Sequence, residues 1–586
     1  MPPRRSIVLL SLILLLAFGL RLVNLGGRSL WYDEAFAVLF AEKGLDSMLY
    51  GTLTPVAGGA ADIHPLLYYT TLNMWMNLFG QDPFTVRLWS VLLGVATVAL
   101  LYLMGRDLFG ENTGLAAALI TALAPFHVQY AQETRMYALL GLLLLLATWC
   151  FLRGMQAIPL PDPLPATLHD TTLFPITPSD RWVVGAHRRA PLREKVPSIL
   201  KSAVFSTATQ RGGTSPPANI DRDVGEGLRL SPTRRRMRGY GWWLAFGVLA
   251  GLAMYTQQLA VFYLVALALI PLGTRDGALL RRVILGTGVA LLVYLPWLVN
   301  LPGQFAKVRS YYWLSPPSPA RPLLTIRSFL SVNLDIPAPG SLIAFLGSLF
   351  IALFLAVQVV FYLRRRKRDD RGALLLVLWL AGGPAVLMWL VSQVQPVYLE
   401  RALLPSALML YLVLAWLFTR GGLPRPISVV IAGVGLLLVG IGLYHQYTWD
   451  TFPNSPFPTA ADYIRDHWQP GDVVIHQNKL TALPMIYYER DLEQRFLADA
   501  PGSSEDTLAL PTQESLGLLA DVAIADAAGD ARRVWWVSFD FAGAQYARAG
   551  RPEYQDAADW LAAHYTAGEP LAWNDLVVVL EVRKGS

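Results

Sequence analysis

Long apolar runs alternate with short polar tracts along the first three quarters of the chain, and the runs have the length of bilayer spans. A hydrocarbon core of about 30 Å takes roughly 20 apolar residues as a helix. Runs of this kind occupy 6–25, 86–105, 113–130, 134–152, 241–257, 258–273, 282–300, 341–363, 372–392, 402–419 and 426–445. The stretch 241–273 is interrupted at Gln257-Gln258 and reads either as a short helical pair or as one span with a re-entrant piece. The first run ends on Ala17-Phe18-Gly19 with Arg21 close behind, a poor cleavage site, so it reads as an uncleaved anchor. Segment 66–80 is apolar but short, with Thr, Asn and Gln distributed through it. It is expected to lie as a helix in the interface.

Beyond His445 the period changes. Asp472 to Ile475 and Val534 to Val537 are strand-like, Leu576 to Val582 is a closing strand, and Ala460 to His467 and Gln555 to Tyr565 are amphipathic helices. Between 154 and 239 apolar periodicity fails in a segment rich in Pro, Ser, Thr and Arg, which reads as a largely disordered insert. The expected fold class is a polytopic α-helical membrane protein of about eleven spans with a C-terminal extracytoplasmic α/β domain. The division falls into 1–445 (first outer loop 26–85, insert 154–239, outer loop 300–340) and 446–586.

Composition supports lipid as the solvent. A soluble chain of 586 residues would make about four domains, yet hydrophobic residues make up 54 % and charged ones only 15 %, against roughly 25 % charged in globular proteins. Mean hydropathy is +0.40. A single cysteine, Cys150, excludes an intrachain disulfide or a cysteine metal cluster. The net charge of +6 is unevenly distributed: residues after His445 carry 21 Asp/Glu against 10 Lys/Arg, the rest 38 Lys/Arg against 21 Asp/Glu.

The basic excess sits in tracts beside apolar runs: Arg4-Arg5, Arg234 to Arg238, Arg281-Arg282 and Arg364 to Arg368. Such tracts mark the cytoplasmic side of a membrane protein, and eleven spans from a cytoplasmic N-terminus place all of them there. Counting 66–80 as a span would put Arg364 to Arg368 outside. The expected location is the cell membrane, with the C-terminal domain extracytoplasmic. Nucleic acid is excluded as a partner, since these tracts form no basic groove with interleaved aromatics.

Ionisable groups at a membrane edge are costly, so each is a functional candidate. In Leu30-Trp31-Tyr32-Asp33-Glu34-Ala35, two adjacent carboxylates flanked by aromatic residues suit acid/base work or a divalent cation; a solvated acidic turn is the alternative. In Asp62-Ile63-His64-Pro65, His64 begins the interfacial helix that carries Tyr69, as a cap or as a ligand. The cluster from Pro125 to Tyr137 brings His127, Gln132, Glu133, Arg135 and Tyr137 to a tight turn between two spans, where Glu133 and Arg135 either form a site or neutralise one another. Arg401, in Tyr398-Leu399-Glu400-Arg401, enters an apolar helix from its outer end, where it either meets a phosphate bidentately or snorkels to the interface. Loop 300–340 carries Lys307, Arg309, Arg321 and Arg327 around Tyr311-Tyr312-Trp313, which fits a mobile flap on an anionic, partly apolar ligand.

These elements in this order resemble the membrane glycosyltransferases that take sugars from polyprenyl-phosphate carriers, the GT-C group. The nearest likeness is to the protein O-mannosyltransferase-like family and the aminoarabinose transferases of lipid A. The strings that carry it are "LWYDEAF", "HPLLYY", "VRLWS", "GRDLFG" and "APFHVQYAQETRMYAL" within 1–152, and "YLERALLP" near 398–405. The resemblance implies a catalytic acid in the first outer loop, falling on Asp33 with Glu34 beside it. It also implies a cavity lined by Gln132, Glu133, Arg135, Met136 and Tyr137, and a late arginine at Arg401. The insert 154–239 departs from the family's short loop, and 446–586 carries no matching motif.

The expected reaction is single-step inverting transfer from a polyprenyl-phosphate-linked sugar to a protein, lipid or polysaccharide hydroxyl, with Asp33 as general base. Arg135, Arg401, Lys307 and Arg309 are expected on the donor phosphate, and His64, Tyr69, His127, Gln132, Glu133 and Tyr137 on sugar or acceptor. No cofactor is required, though Asp33 and Glu34 are placed to recruit a divalent cation. The competing readings are a lipid or sugar transporter or flippase, using the same carboxylates for ion or proton coupling, and a receptor whose outer domain binds ligand.

Overall fold

The structure is a computed structural model that describes residues 4–57, 59–156, 232–274, 276–310, 313–364, 370–503 and 505–585. The chain opens with helices α1 (Arg4–Leu22), α2 (Tyr32–Ala41) and α3 (Gly44–Leu53), followed by a small antiparallel pair, β1 (Pro55–Val56) and β2 (Gly59–Ala60). Next come α4 (Leu67–Phe79), α5 (Pro83–Phe109), α6 (Glu111–Leu123), α7 (Pro125–Ala131) and α8 (Tyr137–Gln156).

Local chemistry explains several boundaries. Asp82 caps α5, accepting from the Phe84 and Thr85 amides at 3.1 Å each, with Pro83 at the first helical position. Gly110 ends the helix at φ +94°, a conformation open to glycine. Helices α6 and α7 are bent by 64° at Ala124-Pro125, where the proline removes a backbone donor. Helices α5 and α6 cross so closely that a Cβ on Gly114 would lie 2.6 Å from the Tyr102 carbonyl oxygen.

Among the described residues, eight helices are long and apolar enough to span a membrane, and a ninth if the bent pair α6–α7 counts as one. The runs at 241–273 form helices Pro232–Thr256 and Ala260–Thr274, so the chain breaks at Gln257-Gln258 into a pair. The second is a short apolar helix. Segment 66–80 yields the 13-residue α4, too short to cross. The insert lies outside the described residues except at its ends, where α8 runs to Gln156 and a helix begins at Pro232.

The loop 300–340 is not the expected flap. It folds into helices Leu301–Ser310 and Arg321–Leu330, the latter started by Pro322 in its first turn. The first is fixed where the Lys307 ammonium donates to the carbonyls of Ala61 and Thr507. The second is joined to the next loop by a 2.8 Å bond between Thr325 and Tyr398.

After the last long helix, Arg425–Thr448, a mixed sheet forms in the order β4 (Gln494–Phe496), β3 (Asp472–His476), β5 (Arg533–Phe539), β8 (Leu576–Arg583), β6 (Tyr565–Ala567). Strand β7 (Leu571–Trp573) also pairs with β8. β3 is parallel to β4 and β5, with Val474 opposite Trp535, and β5 is antiparallel to β8. Alternation sends Val474, Trp535, Val537 and Val578 to one face, packed against helix Phe457–Asp466. Val473, Ile475, Val534 and Trp536 face the other side, against helix Glu553–His564. Ala482, Leu483, Phe496, Leu508 and Leu516 leave this part of the chain to join the same core cluster as α2, α5 and α8, so the sheet-bearing part is seated on the bundle.

Candidate active site

The site is built on the first turn of α2. Asp33 and Glu34 are its second and third residues, where a helix N-terminus favours negative charge. Adjacent helical residues diverge by about 100°, and the two carboxylates accordingly have separate surroundings. Asp33 keeps 16 % of its side chain exposed; Glu34 keeps 1 %.

Glu34 is the frame. Its carboxylate takes both the Nε (2.9 Å) and Nη2 (2.6 Å) of Arg87, on the first turns of α5. Arg87 also donates to the carbonyls of Leu25, Arg28 and Ser29, so all five of its N–H groups are used. The Thr134 amide donates to Glu34 Oε1 at 2.8 Å, joining the turn after α7 to α2. One buried pair therefore sets the spacing of three segments.

Asp33, the more open of the two, meets other arginines. Its Oδ2 lies 3.1 Å from Arg401 Nη1 and 3.7 Å from Arg135 Nε. Arg135 Nη1 also donates to the Asp33 carbonyl at 3.2 Å and to the Tyr69 hydroxyl at 3.3 Å. The Arg401 guanidinium lies over the rings of Trp31, at 5.8 Å, and Tyr137, at 5.2 Å. Burial by itself would raise the Asp33 carboxyl, but Arg135, Arg401 and His64 outweigh it and hold it below its usual value. His64 Nδ1 lies 3.0 Å from Asp62 Oδ1. Burial also opposes ionisation of Asp62, but His64, Lys307 and the Ile63 amide bring it down to about 2.

Asp33, Arg135, Arg401, Tyr69, Tyr137 and Glu133 thus form one cluster, with His64 near enough to act on Asp33. The other expected residues are occupied elsewhere. Glu34, expected beside Asp33 as a catalytic group, is consumed by Arg87 and the Thr134 amide. His127 accepts from Arg21 at 2.6 Å inside the helix packing. Gln132 donates to the carbonyls of Arg21 and Val23 and accepts from Gln446. Lys307 is buried between two carbonyls, and burial lowers its pKa; Arg309 is exposed at the end of its helix.

Asp33 and Glu34 do not converge on a cation site, because each is paired with arginine. Among the described residues no group of three His, Cys, Asp or Glu is placed to hold a metal. Arg87 went unassigned in the sequence; its only signal was its place in "VRLWS" at the start of a span.

Residues 63–159 match the family model described as dolichyl-phosphate-mannose-protein mannosyltransferase. Two Bacillus subtilis (strain 168) proteins provisionally named mannosyltransferases are similar in part. YkcB is 29 % identical over 155 residues, covering 25 % of this chain and 21 % of its own length. YycA is 26 % identical over 221 residues, covering 35 % and 31 %. The chain thus aligns with between a fifth and a third of these relatives. The fold matches that of ArnT from Cupriavidus metallidurans bound to undecaprenyl phosphate, with a TM-score of 0.56, 14 % identity and 97 % of each chain covered. Its apo form gives 0.51 and 15 %, again over 97 % of each chain. This likeness extends over helices and sheet together, and with the apolar spans it makes the chain a multi-pass membrane protein.

Proposed function

We propose that this chain transfers a sugar from a polyprenyl-phosphate donor to an acceptor hydroxyl at the extracytoplasmic membrane face, in one inverting step with Asp33 as general base. The observation that carries the reading is the Asp33 carboxylate, partly open and held between Arg135 and Arg401. The partial match to mannosyltransferases and the undecaprenyl phosphate bound by ArnT, a protein of the same fold, point the same way. The basic tracts support this sidedness, with the N-terminus in the cytoplasm and residues 446–586 outside.

The chemistry follows from where charge moves. The acceptor proton passes to Asp33 as the acceptor oxygen attacks the anomeric carbon, and the bond to the phosphate breaks with its electron pair leaving on the phosphate. Protonation of Asp33 removes the partner of Arg135 and Arg401 at the moment the phosphate gains charge. Two cations already in place then stabilise the leaving group with little reorganisation. Tyr69, Tyr137 and His64 supply aromatic and polar contacts for sugar or acceptor. An apolar groove of about 200 Å³, lined by Ile326, Leu330, Ile351, Leu355, Leu410 and Leu414, offers hydrocarbon surface for a prenyl tail. Glu34 with Arg87 positions Asp33. Lys307 joins segments, which leaves Arg309 as the cation of that helix free to meet a headgroup. The alternative of ion-coupled transport gains no support from Asp33 and Glu34, each of which is paired with arginine.

The test uses the full-length protein in lipid nanodiscs with radiolabelled undecaprenyl-phosphate sugars (mannose, glucose and aminoarabinose) and a cell-envelope extract as acceptor. A new labelled glycoconjugate is expected from the wild type and none from Asp33→Asn. Undiminished transfer by Asp33→Asn removes Asp33 from the mechanism, and no transfer by the wild type with any donor defeats the reading.

A further inference from the structure

The pocket contains a second carboxyl that the mechanism above leaves without a task. Glu133 stands in the turn between α7 and α8, one residue before the Thr134 amide that binds Glu34 and two before Arg135. Its Oε2 is buried with no hydrogen-bond partner, and no ion pair involves Glu133 among the described residues. Buried carboxyls left unpaired are rare and call for an explanation. The groups acting on it come from every element around the pocket: Asp33 and Glu34 on α2, Arg28 before it, Arg401 on the 3-10 turn Glu400–Leu403, Tyr130 on α7 and Tyr137 on α8.

Asp33 receives two arginines directly, whereas Glu133 receives neither. Burial first, then the charge of Glu34, with Asp33 adding to it, push the Glu133 carboxyl up to about 8 against the pull of Arg401 and Arg28. Asp33 in the same pocket is held down. At neutral pH one carboxyl is ionised and its neighbour carries a proton, the division of labour expected of a base and an acid.

We propose that Glu133 is the acid partner of Asp33 and gives its proton to the departing lipid phosphate. This rests on the transferase reading above and extends it. In balance, the acceptor O–H bond breaks and its proton goes to Asp33, while the acceptor oxygen bonds to the anomeric carbon. The carbon–oxygen bond to the phosphate breaks, its electron pair stays on the phosphate oxygen, and the Glu133 proton joins that oxygen. The lipid product leaves as a singly charged phosphate monoester. Asp33 is left protonated and Glu133 ionised, and exchange with water restores both.

Glu133→Gln separates this from a positioning role, because the amide keeps the shape and a hydrogen-bond donor but has no proton to give. In the nanodisc assay the wild-type rate is expected to fall as pH rises through about 8, since the acid form is the active one. Glu133→Gln is expected to lose that alkaline limb and to run about 100-fold slower at pH 7 with a similar KM for the lipid donor. Its deficit should shrink when the same sugar is carried on undecaprenyl diphosphate, a less basic leaving group. The infrared spectrum of the wild type at pH 7 should contain a protonated-carboxyl band that Glu133→Gln lacks, a readout independent of turnover. Wild-type speed in Glu133→Gln, a retained alkaline limb, or an unchanged infrared band overturns the proposal while leaving the transferase reading intact. A wild type inactive with every donor defeats both.

Discussion

Replacing Glu34 by Gln changes one atom in the frame of the site, and the structure sets the size of the consequence. The Arg87 and Glu34 side chains are 0 % and 1 % exposed, and among the described residues the Arg87 charge has no other acid in contact. Removing the carboxylate charge leaves a buried guanidinium without its counter-ion, a loss of about 3–5 kcal/mol for a pair broken from one side. Gln keeps one acceptor oxygen for Arg87 or the Thr134 amide, so the lower part of that range is expected, with Glu34→Ala at the upper end. Arg87→Met is worse, since it also strips donors from the carbonyls of Leu25, Arg28 and Ser29, at about 1–3 kcal/mol for each one left buried and unpaired. The double variant Glu34→Gln/Arg87→Met removes both charges. Its loss should fall short of the sum of the two single losses by about 0.5–3 kcal/mol, the coupling of the pair. The assay is the thermal unfolding midpoint of the detergent-solubilised full chain, ranked across the four variants, with donor transfer measured on each. The reasoning fails if Glu34→Gln melts with the wild type, or if the double variant shows simple additivity.

Four further outcomes follow from the same geometry. Asp33→Asn should lower transfer by at least about 100-fold while retaining expression and lipid-donor binding, measured by co-purified lipid; loss of binding along with transfer would make Asp33 a binding residue. Arg401→Ala should raise the KM for the lipid donor several-fold, and an unchanged KM with reduced kcat would place Arg401 on the transition state alone. Because Asp33 is held below its usual value, the base form survives as pH falls. The acid limb of transfer controlled by Asp33 should therefore lie below about 3.9, and a limb near 5 assigned to Asp33 by its absence in Asp33→Glu would contradict this. Lys307→Met should orphan the Ala61 and Thr507 carbonyls and speed limited proteolysis near Thr507, with little change in the thermal midpoint of the helical bundle; equal protease resistance would show that Lys307 holds nothing.

Much of this arrangement was legible in the sequence because its signals are local. Span length and basic tracts locate the helices, and a tight string such as Gln132-Glu133-Thr134-Arg135 between two apolar runs marks a polar turn with no packing purpose. Asp33 and Glu34, by contrast, are indistinguishable until the phase of α2 is known, since one step of helix separates a partly open carboxylate from a buried one. Arg87 reads as an ordinary interfacial arginine because three of its partners are carbonyls, which leave no mark in a sequence. The same blindness made Lys307 look like a phosphate ligand. The two helices of 300–340 were hidden by prolines, which break apolar periodicity in the sequence yet sit in the first turn of each helix, where they are compatible with it.

The position of α2 is fixed from outside the bundle as well as from within. The Leu30 amide donates to the Tyr488 hydroxyl at 2.8 Å, Arg490 pairs with Glu42 at 2.9 Å just past the other end of α2, and the Tyr487 hydroxyl donates to the Gln81 carbonyl at 2.5 Å. Helix Lys479–Tyr488 therefore braces the helix that carries Asp33, while Arg87 braces it from the bundle side. Removing 446–586 would take away the contacts of Tyr487, Tyr488 and Arg490. Loss of transfer in such a deletion would consequently report a displaced Asp33 as readily as a lost acceptor contact, and the two are separated only by substitutions that leave the Tyr488, Tyr487 and Arg490 contacts in place. A C-terminal region that selects the acceptor and one that merely holds the base are thus not rival readings, since the same rigid brace would serve both.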